Sequence, residues 1–212
     1  MKGLIVISTG RCGTKRLSQI LDRALGDRGI AVTHQRFLSR LCNVLGHCMM
    51  QSIDSQILKR FLFRLQLKSS EHGFVFTDPL TSTCIPRSVL KDKNIHILHL
   101  RRSDEGFASS MFRLTRKRTA SWLAHNFIPC WQPGLRPLEN ALNRMVQYKY
   151  ELINSTKNDY FEREFSGSEN YHKMSRQEIF EEGALDKIIA GVFGIEIHIP
   201  QAELRIKSNQ SG

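Results

Sequence analysis

The 212-residue chain has no apolar run approaching the roughly 20 residues that cross a bilayer, no internal repeat and no low-complexity tract. Its five cysteines (Cys12, Cys42, Cys48, Cys84, Cys130) are odd in number and include no CxxC pair. That pattern excludes a disulfide framework and a cysteine-built zinc site, and fits a reducing, cytoplasmic setting. No acidic cluster of the kind that holds a metal occurs, so no metal is expected. The opening MKGLIVISTG carries only a short apolar stretch and no small-residue cleavage site. It is too little for a signal peptide and reads as a first buried strand.

What is present is positive charge, unevenly placed. The formal net charge is +11. Residues 1–118 hold 21 Lys/Arg against 8 Asp/Glu, whereas residues 119–212 hold 10 against 12. A field of that sign draws in an anion: a nucleotide, a nucleic acid, an acidic glycan or a membrane surface. A solvated basic face would have the same composition, so charge alone does not choose a ligand.

Short strand-like runs occur at 3–8, 30–34, 73–77 and 95–100, each followed by a helical pattern. Helices are expected from Thr14 to about Arg28, through much of 36–67, across 86–91, from Asp104 to Arg116, and over 137–155 and 175–193. A short strand is expected near 160–165 in an otherwise polar stretch. Pro129, Pro133, Gly134 and Pro137 punctuate a loop. Alternating strands and helices predict one α/β domain over 1–212, with a mainly parallel sheet between two helical layers, as in P-loop NTPases.

The stretch GLIVISTGRCGTKRLSQIL joins the first strand to the first helix through a glycine turn. A helix that begins there aims unpaired N–H groups and its positive dipole end at whatever occupies the turn. Gly10 and Gly13 allow close backbone approach, Thr14 can cap the helix and offer a hydroxyl, and Arg11 adds a guanidinium fork. It is not a Walker A loop: two residues separate the glycines, and Lys15-Arg16 replaces Lys-Ser/Thr.

TGRCGTKRL resembles the 5′-phosphosulfate loop of the sulfotransferase family. The resemblance puts Arg11 at the family's basic catalytic position and Gly13 and Thr14 at its Gly-Thr. Gly10, Cys12, Lys15 and Arg16 complete the nucleotide loop, with Cys12 departing from the usual serine. The fourth strand then ends in Arg101-Arg102, and Ser109 lies eight residues beyond Arg101. That is the spacing of the family's 3′-phosphate motif, in which a forked cation and a neutral donor orient a dianion. Trp122 and the run Arg116–Lys117–Arg118 are candidates for lining the cleft, and the tail RIKSNQSG weakly resembles a closing segment.

The resemblance implies a sulfuryl group passing from 3′-phosphoadenosine 5′-phosphosulfate (PAPS) to a hydroxyl or amine, with 3′-phosphoadenosine 5′-phosphate (PAP) as product. A base must then take the acceptor's proton. Two candidates remain: Asp78 in FVFTDPL, ranked first, and His34 in AVTHQRF, both at strand ends where parallel sheets open their crevice. The acceptor could be a small molecule, a glycan or a lipid. Rival readings are a P-loop nucleotide or small-molecule kinase and a non-catalytic polyanion-binding module; specific nucleic-acid recognition is not expected.

Overall fold

Every residue of Gly3–Ile7 (β1) is buried, because this strand has neighbours on both edges and helices over both faces. It pairs in parallel with Phe74–Phe76 (β3) and with Ile95–Arg101 (β4). Ala31–Thr33 (β2) adds outside β3, and Tyr171–Ser175 (β5) outside β4, giving a five-stranded parallel sheet of order 2-3-1-4-5. The computed structural model describes residues 1–51, 54–117, 146–181 and 184–200.

The pleat sends alternate side chains to opposite faces. Leu4 and Val6 of β1, with Leu98 and Leu100 of β4, meet Thr14–Leu25 (α1), Arg176–Phe180 (α6) and Ala184–Phe193 (α7). Ile5, Ile7 and Ile97 meet Phe63 of Gln56–Gln66 (α3) and Tyr160, Phe161 and Phe165 of Val146–Phe165 (α5). Asp104–Lys117 (α4) lies against α5 through Phe107, Met111, Tyr150 and Ile153. Ser39–Gln51 (α2) packs on the turn Ser82–Cys84 through Cys42 and Cys84. The three-layer α/β fold is the one the strand–helix alternation predicts, and the four N-terminal strands fall within one or two residues of their expected bounds.

Three boundaries differ. The expected strand at 160–165 is the end of α5: Tyr160, Phe161, Glu164 and Phe165 are buried while Arg163 is exposed. A strand would have buried 161, 163 and 165 together. The fifth strand instead lies at 171–175, on the sheet edge, where half-exposed YHKMS needs no apolar alternation. The helix expected over 175–193 is two helices, α6 opening on a Ser175–Glu178 capping box. The helix expected over 36–67 is also two, with α3 restarting where the Ser55 side chain caps Leu58. The start of the helix expected at 137, the proline loop, Cys130, Trp122, the side chains of Arg116–Lys117–Arg118 and the tail lie outside the described residues. Among those described, no helix is long and apolar enough to cross a membrane.

Phe161 is fully buried, edge-on to the His99 ring, whereas Ile57 on α3 is 83% exposed. Phe161→Ala should lower unfolding stability by about 3–5 kcal/mol, and Ile57→Ala should leave it within about 0.5 kcal/mol, read from urea titrations.

Candidate active site

The turn between β1 and α1 is built from left-handed residues. Gly10 has φ 96°, Arg11 φ 55° and Gly13 φ 91°, and backbone of that kind turns successive N–H groups toward one side as an anion-binding nest. A Cβ on Gly13 would also lie 3.1 Å from the Phe180 ring. Gly13 is the cap residue of α1 and supplies no side chain to it. The N–H groups of Gly13, Thr14 and Lys15 consequently have no acceptor among the described residues. Thr14, expected to cap, is instead the first helical residue; its hydroxyl has no partner among the described residues. Gly10 leaves open space on its Cβ side.

Cys12 points the other way. It is fully buried, its thiol donates to the Gly10 carbonyl at 3.1 Å, and burial pushes its pKa up to about 11. Only its backbone can face an anion. Lys15 is exposed and Arg16 half-buried on the first turn of α1.

Guanidinium groups gather around this turn. Arg11 Nε donates to Ser110 Oγ at 3.0 Å, and Arg102 Nη1 donates to the Arg11 carbonyl at 2.8 Å. Burial depresses the Arg102 pKa, and the nearby charges of Arg176, Arg11 and Arg113 push in the same direction. Like charges held this close disfavour one another's charged form. Beside them a cavity of about 700 Å³ opens at the ends of β4 and β5, lined by Arg101, Arg102, Lys173, Ser175 and Arg176 among others.

Arg101 and Ser109 are not the pair that meets the turn. Arg101 closes β4 on the α5 face, where Nη1 binds Glu162 at 3.0 Å; Lys173 shares that carboxylate at 2.8 Å. Ser109 is on the exposed side of α4, whereas Ser110 is buried. Two arginines in a row and two serines in a row satisfy the eight-residue spacing twice. Arg102 and Ser110, one residue on, are the pair that contacts Arg11.

A brace from α5 holds the turn from the opposite face of the sheet. Thr9 Oγ1 donates to Asn154 Oδ1 at 2.6 Å, and Asn154 Nδ2 donates to the Arg102 carbonyl at 3.2 Å and to Asp104 Oδ1 at 2.6 Å. No sequence signal marks Asn154, Arg113 or Arg176, because each is a single polar residue far along the chain from the turn.

The two base candidates differ in what occupies them. Asp78 is 1% exposed; Oδ1 accepts from the Leu80 N–H at 3.0 Å and Oδ2 from the Thr81 hydroxyl at 2.6 Å. Its carboxylate builds the turn after β3. His34 is half-buried, with Nδ1 3.1 Å from the Thr77 carbonyl and 3.1 Å from its hydroxyl. A carbonyl needs a donor, which assigns the proton to Nδ1 and leaves Nε2 with a lone pair and no partner among the described residues. Burial pushes the His34 pKa below its usual value and Lys15 adds to the shift, against the Thr77 carbonyl and the Asp78 charge. The ring is therefore neutral near pH 7.

No family model and no curated protein match the chain. Among solved structures, a sulfotransferase from Alicyclobacillus acidocaldarius is similar with a TM-score of 0.55 and 10% identity, over 99% of this chain and 87% of that one. Mouse sulfotransferase SULT7A1, complexed with PAP, is similar with a TM-score of 0.49 and 18% identity. That match takes in 93% of this chain, which spans 60% of the length of the mouse protein. At such identities the likeness is one of backbone architecture, and on it the chain has the sulfotransferase-type α/β fold.

Proposed function

We propose that this chain, acting as a single catalytic domain, transfers a sulfuryl group from PAPS to an acceptor hydroxyl or amine. The observation that carries the reading is the contact of Arg102 with Arg11 at a left-handed turn, beside a cavity that Arg102 and Arg176 line, where the N–H groups of Gly13, Thr14 and Lys15 have no acceptor among the described residues.

In this reading the N–H groups of Gly13, Thr14 and Lys15 and the Thr14 hydroxyl hold the 5′-phosphate. Arg11 meets the bridging oxygen, where charge grows as the S–O bond breaks. Arg102, Ser110 and Arg176 take the 3′-phosphate, in place of Arg101 and Ser109. The acceptor oxygen forms the new bond to sulfur, the electron pair of the broken bond goes to the 5′-phosphate, and the acceptor proton goes to His34 Nε2. His34 is preferred to Asp78 because its nitrogen lone pair is open and the carboxylate is committed to its own turn. A kinase reading is weaker, since Arg16 occupies the position of the metal-holding hydroxyl.

PAP in metal-free buffer at about 100 times its Kd should add about 2.7 kcal/mol of stability, a rise of several degrees in Tm, and ATP with magnesium should add much less. A larger response to ATP overturns the reading. Arg102→Ala should weaken PAP binding roughly tenfold to a hundredfold, with Arg101→Ala nearly neutral; the opposite ranking would return the 3′-phosphate to Arg101. With a working acceptor, kcat/KM should rise with pH through a value below that of an ordinary histidine and be level near pH 7. His34→Ala should abolish that limb, and Asp78→Asn should lower Tm.

A further inference from the structure

Helix α3 presents apolar residues on its outer side as well as its buried one. The buried side is Lys59, Leu62, Phe63 and Gln66; Leu62 joins the cluster around Cys42 of α2, and Phe63 lies edge-on to Phe76 of β3. The outer side carries Ile57, Phe61 and Leu65, which are 83%, 59% and 41% exposed. Residues four apart on a helix form one row, so these three make a continuous stripe. A second row, Arg60 and Arg64, runs beside it, and exposed Lys68 follows just past the helix end.

The start of α2 adjoins this face. Arg36 Nη1 donates to the Leu65 carbonyl at 3.2 Å and to the Gln66 carbonyl at 3.4 Å, which seats the residues before α2 at the end of α3. There Phe37 is 81% and Leu41 48% exposed, and Arg40 is exposed between them. From residue 35 to residue 68 the sequence holds a single acid, Asp54, and Lys59 pairs with it. Arg36, Arg40, Arg60, Arg64 and Lys68 have no carboxylate partner among the described residues.

Apolar side chains exposed together and rimmed by charge mark a surface that something else covers. Sign selects the cover. A second copy meeting this face across a two-fold axis would set the same five cations against one another. The two long segments outside the described residues are cationic too: 118–145 holds three arginines and one glutamate, and 201–212 holds one arginine, one lysine and one glutamate. A membrane surface of anionic lipid has the opposite sign and receives both rows. Aromatic and aliphatic side chains enter at the acyl boundary, while guanidinium and ammonium groups stay among the headgroups. We propose that the outer face of α3, with the start of α2, docks on an anionic membrane surface through Phe37, Ile57, Phe61 and Leu65 and the cations beside them. This docking is independent of the chemistry at the β1–α1 turn.

The test is co-sedimentation of the full chain with vesicles of phosphatidylcholine alone, and of phosphatidylcholine and phosphatidylserine in equal parts. The chain should pellet with the second and not with the first, and should be released as added salt screens its charges. Because the whole chain is basic, two double variants with the same change of charge locate the contact. Arg60→Glu with Arg64→Glu should weaken binding roughly tenfold or more. Lys91→Glu with Lys93→Glu, exposed and outside this face, should leave it within about threefold. Ile57→Gln with Phe61→Gln keeps every charge and removes the stripe; it should also cost roughly tenfold, with Tm unchanged because both side chains are exposed. Equal loss in the two charge variants, or full binding by the glutamine variant, means attraction by net charge alone and overturns the docking. Equal sedimentation with both vesicles overturns it, as does a wild-type chain that stays in solution with both, which would leave the face to an acidic protein. A wild-type dimer that the glutamine variant returns to monomer overturns it as well.

Discussion

Crowding of like charges around a single turn is the constraint on which the site depends. Arg102 donates to the Arg11 carbonyl and Arg11 donates to Ser110, so two guanidiniums are positioned by neutral oxygens. Arg101, by contrast, is paired with the Glu162 carboxylate. The turn adds donors of its own, because left-handed residues and a cap without a side chain leave the first amides of α1 with no acceptor among the described residues. In the proposed function, an anion of high charge relieves both the repulsion and the unmet donors.

Such a site needs rigid support, which comes from the sheet and from α5. The central strand β1 is buried on both faces, and it delivers the turn at a height set by its pairing with β3 and β4. Asn154 ties Thr9, Arg102 and Asp104 together through one amide, so the brace acts on both sides of the crevice. Lower on the same helix, Arg87 grips the buried Glu164 with two bonds of 2.8 and 2.7 Å, which anchors α5 to the turn Arg87–Lys91. The side chains that hold the turn thus come from segments 91 to 145 positions away.

Much of the site was legible because local physics decided it. The turn at Gly10–Thr14 announces itself through an apolar run, two glycines and a helical period, all within 20 residues. The strand-end location of His34 and Asp78 was legible for the same reason. Less legible was their difference: Asp78 followed by Pro-Leu-Thr turns on itself through Leu80 and Thr81, whereas His34 depends on Thr77, a partner 43 residues away. The fifth strand was missed because an edge strand that is only half-buried carries no alternation to read.

The sequence by itself determined the strand–helix alternation, the glycine turn between β1 and α1 and the presence of an arginine–serine pair at a spacing of eight. Periodicity, glycine and short-range spacing are properties of neighbouring residues, and one chain displays them. Only the tertiary structure decided which of two adjacent arginines and two adjacent serines faces the turn. The pleat sends Arg101 toward Glu162 on α5, and Arg102, one position on, reaches the Arg11 carbonyl. A shift of one residue is invisible in composition yet reverses the direction of a side chain, which is why spacing alone could not say which arginine contacts Arg11.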